Sequence, residues 1–218
     1  MYARVTWSKG GSQPPNIEEG LKFYRESILP SFKTQAGFLG AVVLGNAETG
    51  EGLSATYWES AEAMSASEAM GGAARAEIAQ KVGMQVADIE RFEVVLQDRV
   101  GPPMAGTFVR SNDIKAAPAQ IDAAVALMRE TGVPKLREIK GYRALLIFAN
   151  RQTGRVLVSS VWETAADREA AESTASAMRR EVMDSAQAGS NIRITLYEAL
   201  LAEVSAPAQQ AATAARTA

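Results

Sequence analysis

The sequence predicts an α+β protein made of two tandem β-α-β-β-α-β repeats packed sheet to sheet. Three observations carry this. First, "GFLGAVVLGNAETGEGLSATYWES" (37–60) returns as "GYRALLIFANRQTGRVLVSSVWET" (141–164), shifted by 104 residues without a gap. Second, each half shows the same order of strand-like and helix-like segments. Third, the central strands are apolar on both faces. A fixed-period self-match is the mark of duplication. Gly37 meets Gly141, Asn46 meets Asn150, Thr49-Gly50 meets Thr153-Gly154, and Trp58-Glu59 meets Trp162-Glu163. The same shift sets Pro30 on Pro134 and Val5 on Val109. The repeats are expected at 1–100 and 105–202, joined through the Pro/Gly-rich "RVGPPMAG". The low-complexity end, 203–218, is expected to be a disordered tail.

The elements follow in order. "YARVTW" reads as a first strand. "PPNIEEGLKFYRESIL" reads as a helix, with Asn16 as N-cap and Glu19 at the capping-box position. Leu21, Tyr24 and Ile28 share one face of it, and proline should kink or stop it near Pro30. "FLGAVVLG" and "GLSATYWE" form a hairpin around "NAETGE", and "YRALLIFA" and "RVLVSSVWE" form its twin around "NRQTG". Asn46 and Asn150 are turn residues, because Asn bonds its own backbone. Ala- and Glu-rich helices follow, Ala61 to about Lys81 and Ala165 to about Ala188. Gly71-Gly72 is read as an interruption of the first of these, with none of the context of a phosphate loop. "RFEVVLQ" and "IRITLYEAL" close the repeats as last strands. This order is ferredoxin-like. A sheet covered on one face should alternate apolar and polar residues. In "LLIFA" and "AVVL" neighbouring residues are apolar on both sides, so both faces should be buried.

Composition narrows the chemistry. The 218-residue chain is 47% hydrophobic, carries a net charge of −2, and has neither cysteine nor histidine. Disulfides, thiolate or imidazole metal ligands, a Cys nucleophile and a Ser-His-Asp triad are excluded. No His- or Cys-ligated haem or zinc is therefore expected; no metal and no cofactor are assigned, and the catalytic residues are left unassigned. Lys and Arg form no basic stripe, which argues against nucleic acid as a partner. No run approaches the roughly 20 apolar residues that span a bilayer, and the N-terminus has no signal-peptide pattern. A cytoplasmic protein with no membrane partner is expected.

The entries to the second strand, "PSFKTQAGF" and "PKLREIKGY", and the exits from the third, "YWES-AEA" and "VWET-AAD", resemble the dimeric α/β barrel superfamily. Within it they resemble the antibiotic biosynthesis monooxygenase (ABM)-like proteins, here duplicated in tandem. The resemblance implies a pseudo-dimeric α/β barrel: a monomer resembling a fused dimer, with a homodimer of such chains as the alternative. It implies a ligand site between sheet and helices, lined by a third-strand Trp that matches Trp58 and Trp162. It also implies a cofactor-free monooxygenase-like activity on a small aromatic or polyketide-like molecule. The family's quinone-forming members carry an Asn four residues before that Trp, where Ser54 and Val158 stand here. Its haem-degrading members carry a His where Glu68 and Glu172 stand, which removes His-ligated haem. The alternative function is a non-catalytic small-ligand-binding or stress-associated barrel protein with a degenerate site.

The substrate-binding candidates are Trp58, Tyr57, Ser54 and Trp162. Against this, each Trp can be a core residue whose indole N–H finds a local partner. Ser54 shares the face of Trp58, being four residues away along a strand. Val158 and Val161 make the second repeat greasier, so the first is expected to keep the site. Glu59 and Glu163 are read as bordering the next helix, where acidic groups suit its dipole. Arg4 and Arg193 lie in strands; either could orient an anionic or quinoid substrate, or sit solvated at an edge. The helix methionines are read as gap-fillers.

Overall fold

The computed structural model describes residues 1–10, 16–186, 188 and 191–204. The first repeat runs β1 (Tyr2–Gly10), α1 (Ile17–Phe23), a π-helical turn Tyr24–Ile28, α2 (Leu29–Lys33), β2 (Phe38–Gly45), β3 (Glu51–Trp58), α3 (Ala61–Ala66), α4 (Glu68–Val82) and β4 (Met84–Arg99). The second runs β5 (Phe108–Lys115), α5 (Ile121–Leu127), a π-helical turn Met128–Gly132, α6 (Val133–Arg137), β6 (Tyr142–Asn150), β7 (Arg155–Trp162), α7 (Ala165–Ala170), α8 (Glu172–Ser185) and β8 (Ile192–Val204). The β-α-β-β-α-β order is therefore present twice.

Contacts divide the chain into two units that are not quite the two sequence repeats. Unit 1 holds Met1–Phe92 and β8 from Glu198; unit 2 holds Glu93–Pro102 and Gly106–Tyr197. In unit 1 the strand order is β4-β1-β3-β2-β8, and in unit 2 it is β8-β5-β7-β6-β4. β2 pairs antiparallel with the Glu198–Val204 end of β8, and β6 pairs with the Glu93–Arg99 end of β4. Both last strands are longer than expected: β4 starts at Met84, in a polar stretch with no alternating pattern. β8 takes in Glu203 and Val204, which were expected in the tail. The rest of that tail, 205–218, lies outside the described residues.

Asn16 caps α1 as expected: its Oδ1 accepts from the Glu19 N–H at 3.2 Å, and its amide donates to the Glu19 carboxylate at 2.7 Å. The helix does not stop at Pro30. Proline has no N–H to give to the preceding turn, and the turn ahead of it widens instead. The Leu29 N–H reaches back five residues to the Tyr24 carbonyl, and the Val133 N–H does the same to Met128. Both repeats solve the proline in this way, so the π turn is written by Pro30 and Pro134. The hairpin turns match the reading. Asn46 Oδ1 accepts from the N–H groups of Glu48 and Thr49, and Asn150 Oδ1 from those of Gln152 and Thr153. Gly50 and Gly154 then take φ of 69° and 74°, the left-handed region that suits glycine. Ser60 and Thr164 cap α3 and α7, with Glu59 and Glu163 just outside.

The repeat is not in one register throughout. Val5 faces Ala55 across its ladder, but Val109 faces Val161. The twin of Val5 is Ser111, which faces Ser159, so β1 and β5 are related by 106 residues rather than 104. The connection from Gly10 to Asn16 is two residues longer than that from Ala116 to Gln120, which absorbs the difference. Pro30 and Pro134 do correspond, each near the start of its helix. Gly71-Gly72 does not interrupt a helix either: α4 runs unbroken from Glu68 to Val82.

Each unit has an apolar layer between helices and sheet. In unit 1 it contains Tyr24, Ile28, Leu29, Phe32, Ala41, Trp58, Met64 and Leu201. In unit 2, Ile121, Val125, Met128, Leu136, Leu145, Trp162 and Met178 serve the same purpose. Tyr142 and Ala144 to Ala149 of β6 are all buried, on both faces of the strand, as the unbroken apolar run predicted.

Candidate functional site

Trp58 ends β3 and faces the helices. Successive strand residues point to opposite faces, so Trp58, Thr56 and Ser54 share that face. Tyr57, although buried, points away from it. Two of the expected partners, Trp58 and Ser54, are thus on one side and the third, Tyr57, is on the other. Trp58 is fully buried, and its indole N–H donates to Thr56 Oγ1 at 3.0 Å. Phe32 and Phe38 pack edge-on to it, with centroids 6.0 and 5.3 Å away. Tyr24 lies in the same layer, on the π turn, and burial raises its hydroxyl well above the ordinary tyrosine range. It stays protonated at neutral pH and can donate a hydrogen bond, but it is no base.

Unit 2 repeats the frame. Trp162 is fully buried, its N–H donates to Ser160 Oγ at 3.0 Å, and Tyr142 packs edge-on at 5.8 Å. The Tyr142 hydroxyl donates to Asp98 at 2.9 Å, and Arg137 grips the same carboxylate from α6. Burial, and after it the Asp98 charge and hydrogen bond, push the Tyr142 hydroxyl upward. Val158 does stand where Ser54 stands, yet the face is not purely apolar. Asn112 sits across from Val158 and donates to its carbonyl at 3.1 Å, leaving its own buried Oδ1 without a partner among the described residues.

The polar group that sequence reasoning undervalued is the arginine of the first strand. Arg4 faces Thr56 across the ladder and is buried beneath the junction of α3 and α4. Its Nη2 donates to the Met64 carbonyl and to Ser67 Oγ at 3.1 Å, and forms an ion pair with Glu68 at 3.0 Å. The guanidinium carbon lies 5.9 Å from the Trp58 ring centroid, within cation–π range. Arg75 and Arg91 bind the same Glu68 at 2.6 and 2.9 Å. Burial lowers the Arg4 guanidinium from its ordinary value, and Glu68 partly restores it. Burial alone would raise Glu68, but hydrogen bonds from Arg75 and Arg91 and the Arg4 charge hold it below the usual carboxylate range. Such a carboxylate is an organiser of guanidinium groups and a poor proton acceptor. Gly71 explains how the guanidinium fits: a Cβ there would come within 2.8 Å of Arg4 Nη1.

The unit 2 counterpart is Arg110, across from Ser160, with Nη1 2.7 Å from Glu172, though poorly aligned for a hydrogen bond. Arg179 approaches Glu172 at 3.4 Å. Arg110 escaped detection because the 104-residue shift places Phe108 opposite Arg4; only the 106-residue ladder register pairs the two arginines. Arg193 is exposed on β8 and belongs to neither cluster. Met64, Met128 and Met178 fill the cores, as expected. Among the described residues no three His, Cys, Asp or Glu side chains gather as a metal cage, and no helix is long and apolar enough to cross a membrane.

No family model matches the chain. The solved structures it resembles share its fold over almost the whole length. An anthrone oxidase-like protein aligns over 94% of each chain at 15% identity, with a TM-score of 0.65. A putative monooxygenase of Fusobacterium nucleatum aligns over 93% of this chain and 94% of its own at 12% identity, TM-score 0.65. A Listeria monocytogenes ferredoxin-fold protein related to antibiotic biosynthesis monooxygenases covers 90% of this chain and 94% of its own at 11% identity, TM-score 0.50. In sequence, an uncharacterised protein of Mycobacterium tuberculosis is 24% identical over 164 residues, 75% of this chain and 72% of its own. The chain has the dimeric α/β barrel fold of the ABM-like proteins, duplicated in tandem.

Proposed function

We propose that the chain is a cofactor-free, monooxygenase-like protein that takes a small aromatic molecule between sheet and helices of unit 1. The observation that carries this is the ring cluster of Phe32, Phe38 and Trp58 with Arg4 beside it. Edge-on rings present surfaces against which a further aromatic ring packs well, and the fold neighbours include an anthrone oxidase-like protein. Tyr24 and Ser54 are the polar groups on offer to the ligand. Neither Glu68, held by three arginines, nor Tyr24, with its acidity suppressed, is suited to remove a proton. The substrate would therefore have to supply its own acidity: its electron-rich anion donates electrons to O2, and one oxygen atom enters the ring while the other leaves as water. That stoichiometry suits hydroquinone and anthrone-type compounds, where a CH2 or ring C–H becomes C=O.

The scarcity of a base is also what favours the second reading, a non-catalytic binder of the same ligand class. Oxygen uptake with a panel of hydroquinone and anthrone-type compounds separates the two. Uptake above the uncatalysed rate, lost in Trp58→Ala, supports the enzyme. Binding by calorimetry without oxygen uptake across the panel leaves the binder.

A further inference from the structure

The arginine cluster of unit 1 carries more positive charge than its own contacts use. Arg4, Arg75 and Arg91 converge on a single carboxylate, Glu68. The charged groups acting on Arg4 are Glu68, Arg75 and Arg91. Arg4 is 2% exposed, and its Nε and Nη1 have no partner among the described residues. Buried polar groups are normally satisfied, and exceptions call for an explanation. The first turn of α4, a helix of 15 residues, adds the positive end of its dipole at the same place.

Unit 2 carries less of this excess: Arg168 and Arg179 also act on its strand arginine, but against two carboxylates instead of one. There Arg110 has two carboxylates within reach, Glu172 at 2.7 Å and Glu169 at 3.8 Å. Ala171 replaces Ser67, Ala175 replaces Gly71, and Leu196 occupies the β8 position that Arg91 holds on β4. Unit 1 gains donors and room for a guanidinium and leaves two Arg4 nitrogens without a hydrogen bond; in unit 2 a second carboxylate offsets part of the charge, and one Arg110 nitrogen, Nη1, is left without one.

We propose that the Arg4–Arg75–Arg91 cluster of unit 1 is an anion site that recognises a carboxylate or other oxoanion on the aromatic ligand. Glu68 holds the three guanidinium groups in place while the site is empty. The ligand's anionic group accepts from the unpaired Arg4 donors, and its ring lies toward Trp58. The inference rests on the aromatic-ligand reading above and adds a charge requirement to it.

Calorimetry on the full chain at pH 7 with 2-naphthoate and neutral 2-naphthol tests both. The expected result is that naphthoate binds about tenfold or more tightly than naphthol, as a charge-assisted contact requires. Arg91→Gln, at a half-exposed position that folding should tolerate, is expected to weaken naphthoate about fivefold and leave naphthol within about twofold. Arg179→Gln, the matching change in unit 2, leaves both unchanged. Equal affinity for the two probes, or naphthoate binding indifferent to Arg91→Gln, overturns the anion site and leaves the aromatic-ligand reading standing. Failure of both probes to bind overturns both. Inorganic phosphate, titrated in competition, should displace naphthoate and not naphthol.

Discussion

Units 1 and 2 share a frame and differ in how they settle its polar groups. Each has a strand arginine across from a hydroxyl residue, a buried Trp whose N–H is satisfied two residues back, and a glutamate opening the long second helix. In unit 2 the arginine is matched by carboxylates, and a buried Asp98 ties Arg137 to Tyr142. In unit 1 the corresponding pair is Lys33 with Glu203, both about half exposed, and the carboxylate shortage lies at Arg4. Unit 2 has its tight ionic network at the rim of the layer and, within, an arginine with two carboxylates in reach. Unit 1 has a loose rim and unspent donors inside. A duplicated frame lets one copy be tuned for stability while the other keeps polar groups that a stability criterion alone would remove.

The comparison can be broken most directly at the two tryptophans. Trp58→Ala and Trp162→Ala should each lower stability by about 3–5 kcal/mol, because both rings are fully buried. Only Trp58→Ala should abolish binding of an aromatic ligand. Trp162→Ala should leave its Kd within about threefold, below roughly 0.7 kcal/mol. Denaturant melts and calorimetry on both variants decide, and the opposite pattern assigns the site to unit 2.

The ionic twins come next. Asp98→Ala strips a buried acceptor from both Arg137 and Tyr142 and should cost about 2–3 kcal/mol. Glu203→Ala removes an exposed partner of Lys33 and should cost at most about 1 kcal/mol. Equal losses in chemical denaturation would erase the contrast between the two rims.

Acid sharpens the comparison at Glu68. Its folded-state pKa is depressed, so its contribution to stability is present above the ordinary glutamate range and fades as pH falls through the depressed value. The wild type should therefore lose stability on acidification faster than Glu68→Gln, which has no charge to lose there. Glu68 is partly exposed and its network screened, so the effect should be modest; thermal melts from pH 7 to pH 3 would show it.

The smallest expected effect is at the twin helix positions Gly71 and Ala175. Gly to Ala in a helix interior ordinarily stabilises by about 1 kcal/mol. At Gly71 the new Cβ would meet Arg4 Nη1, and the guanidinium is held in place through its Nη2 by Met64, Ser67 and Glu68, so the gain should vanish. Ala175→Gly, the reverse change at the twin position, should show the ordinary loss of about 1 kcal/mol. A clear rise in Tm for Gly71→Ala would mean that Arg4 moves freely.

By itself the sequence determined the duplication, the β-α-β-β-α-β order, the Asn turns, the Asn16 cap and the two-sided burial of the central strands. These rest on local chemistry: a side chain bonding its own backbone, glycine where φ is positive, apolar residues in adjacent positions. It could also rule out histidine and cysteine chemistry, since composition needs no coordinates. What only the tertiary structure decided depends on pairing between distant strands. The 106-residue register of β1 and β5 is set by hydrogen bonds to β3 and β7, and it alone matches Arg110 to Arg4. The widened turns before Pro30 and Pro134 persist because the helix is held on both sides of the proline by packing. The opposite facing of Tyr57 and Trp58 was already implied by strand alternation, but which of them faces the helices was not. The clustering of Arg4, Arg75 and Arg91 on Glu68 joins residues far apart in the chain, and no periodicity in a single sequence records such a meeting.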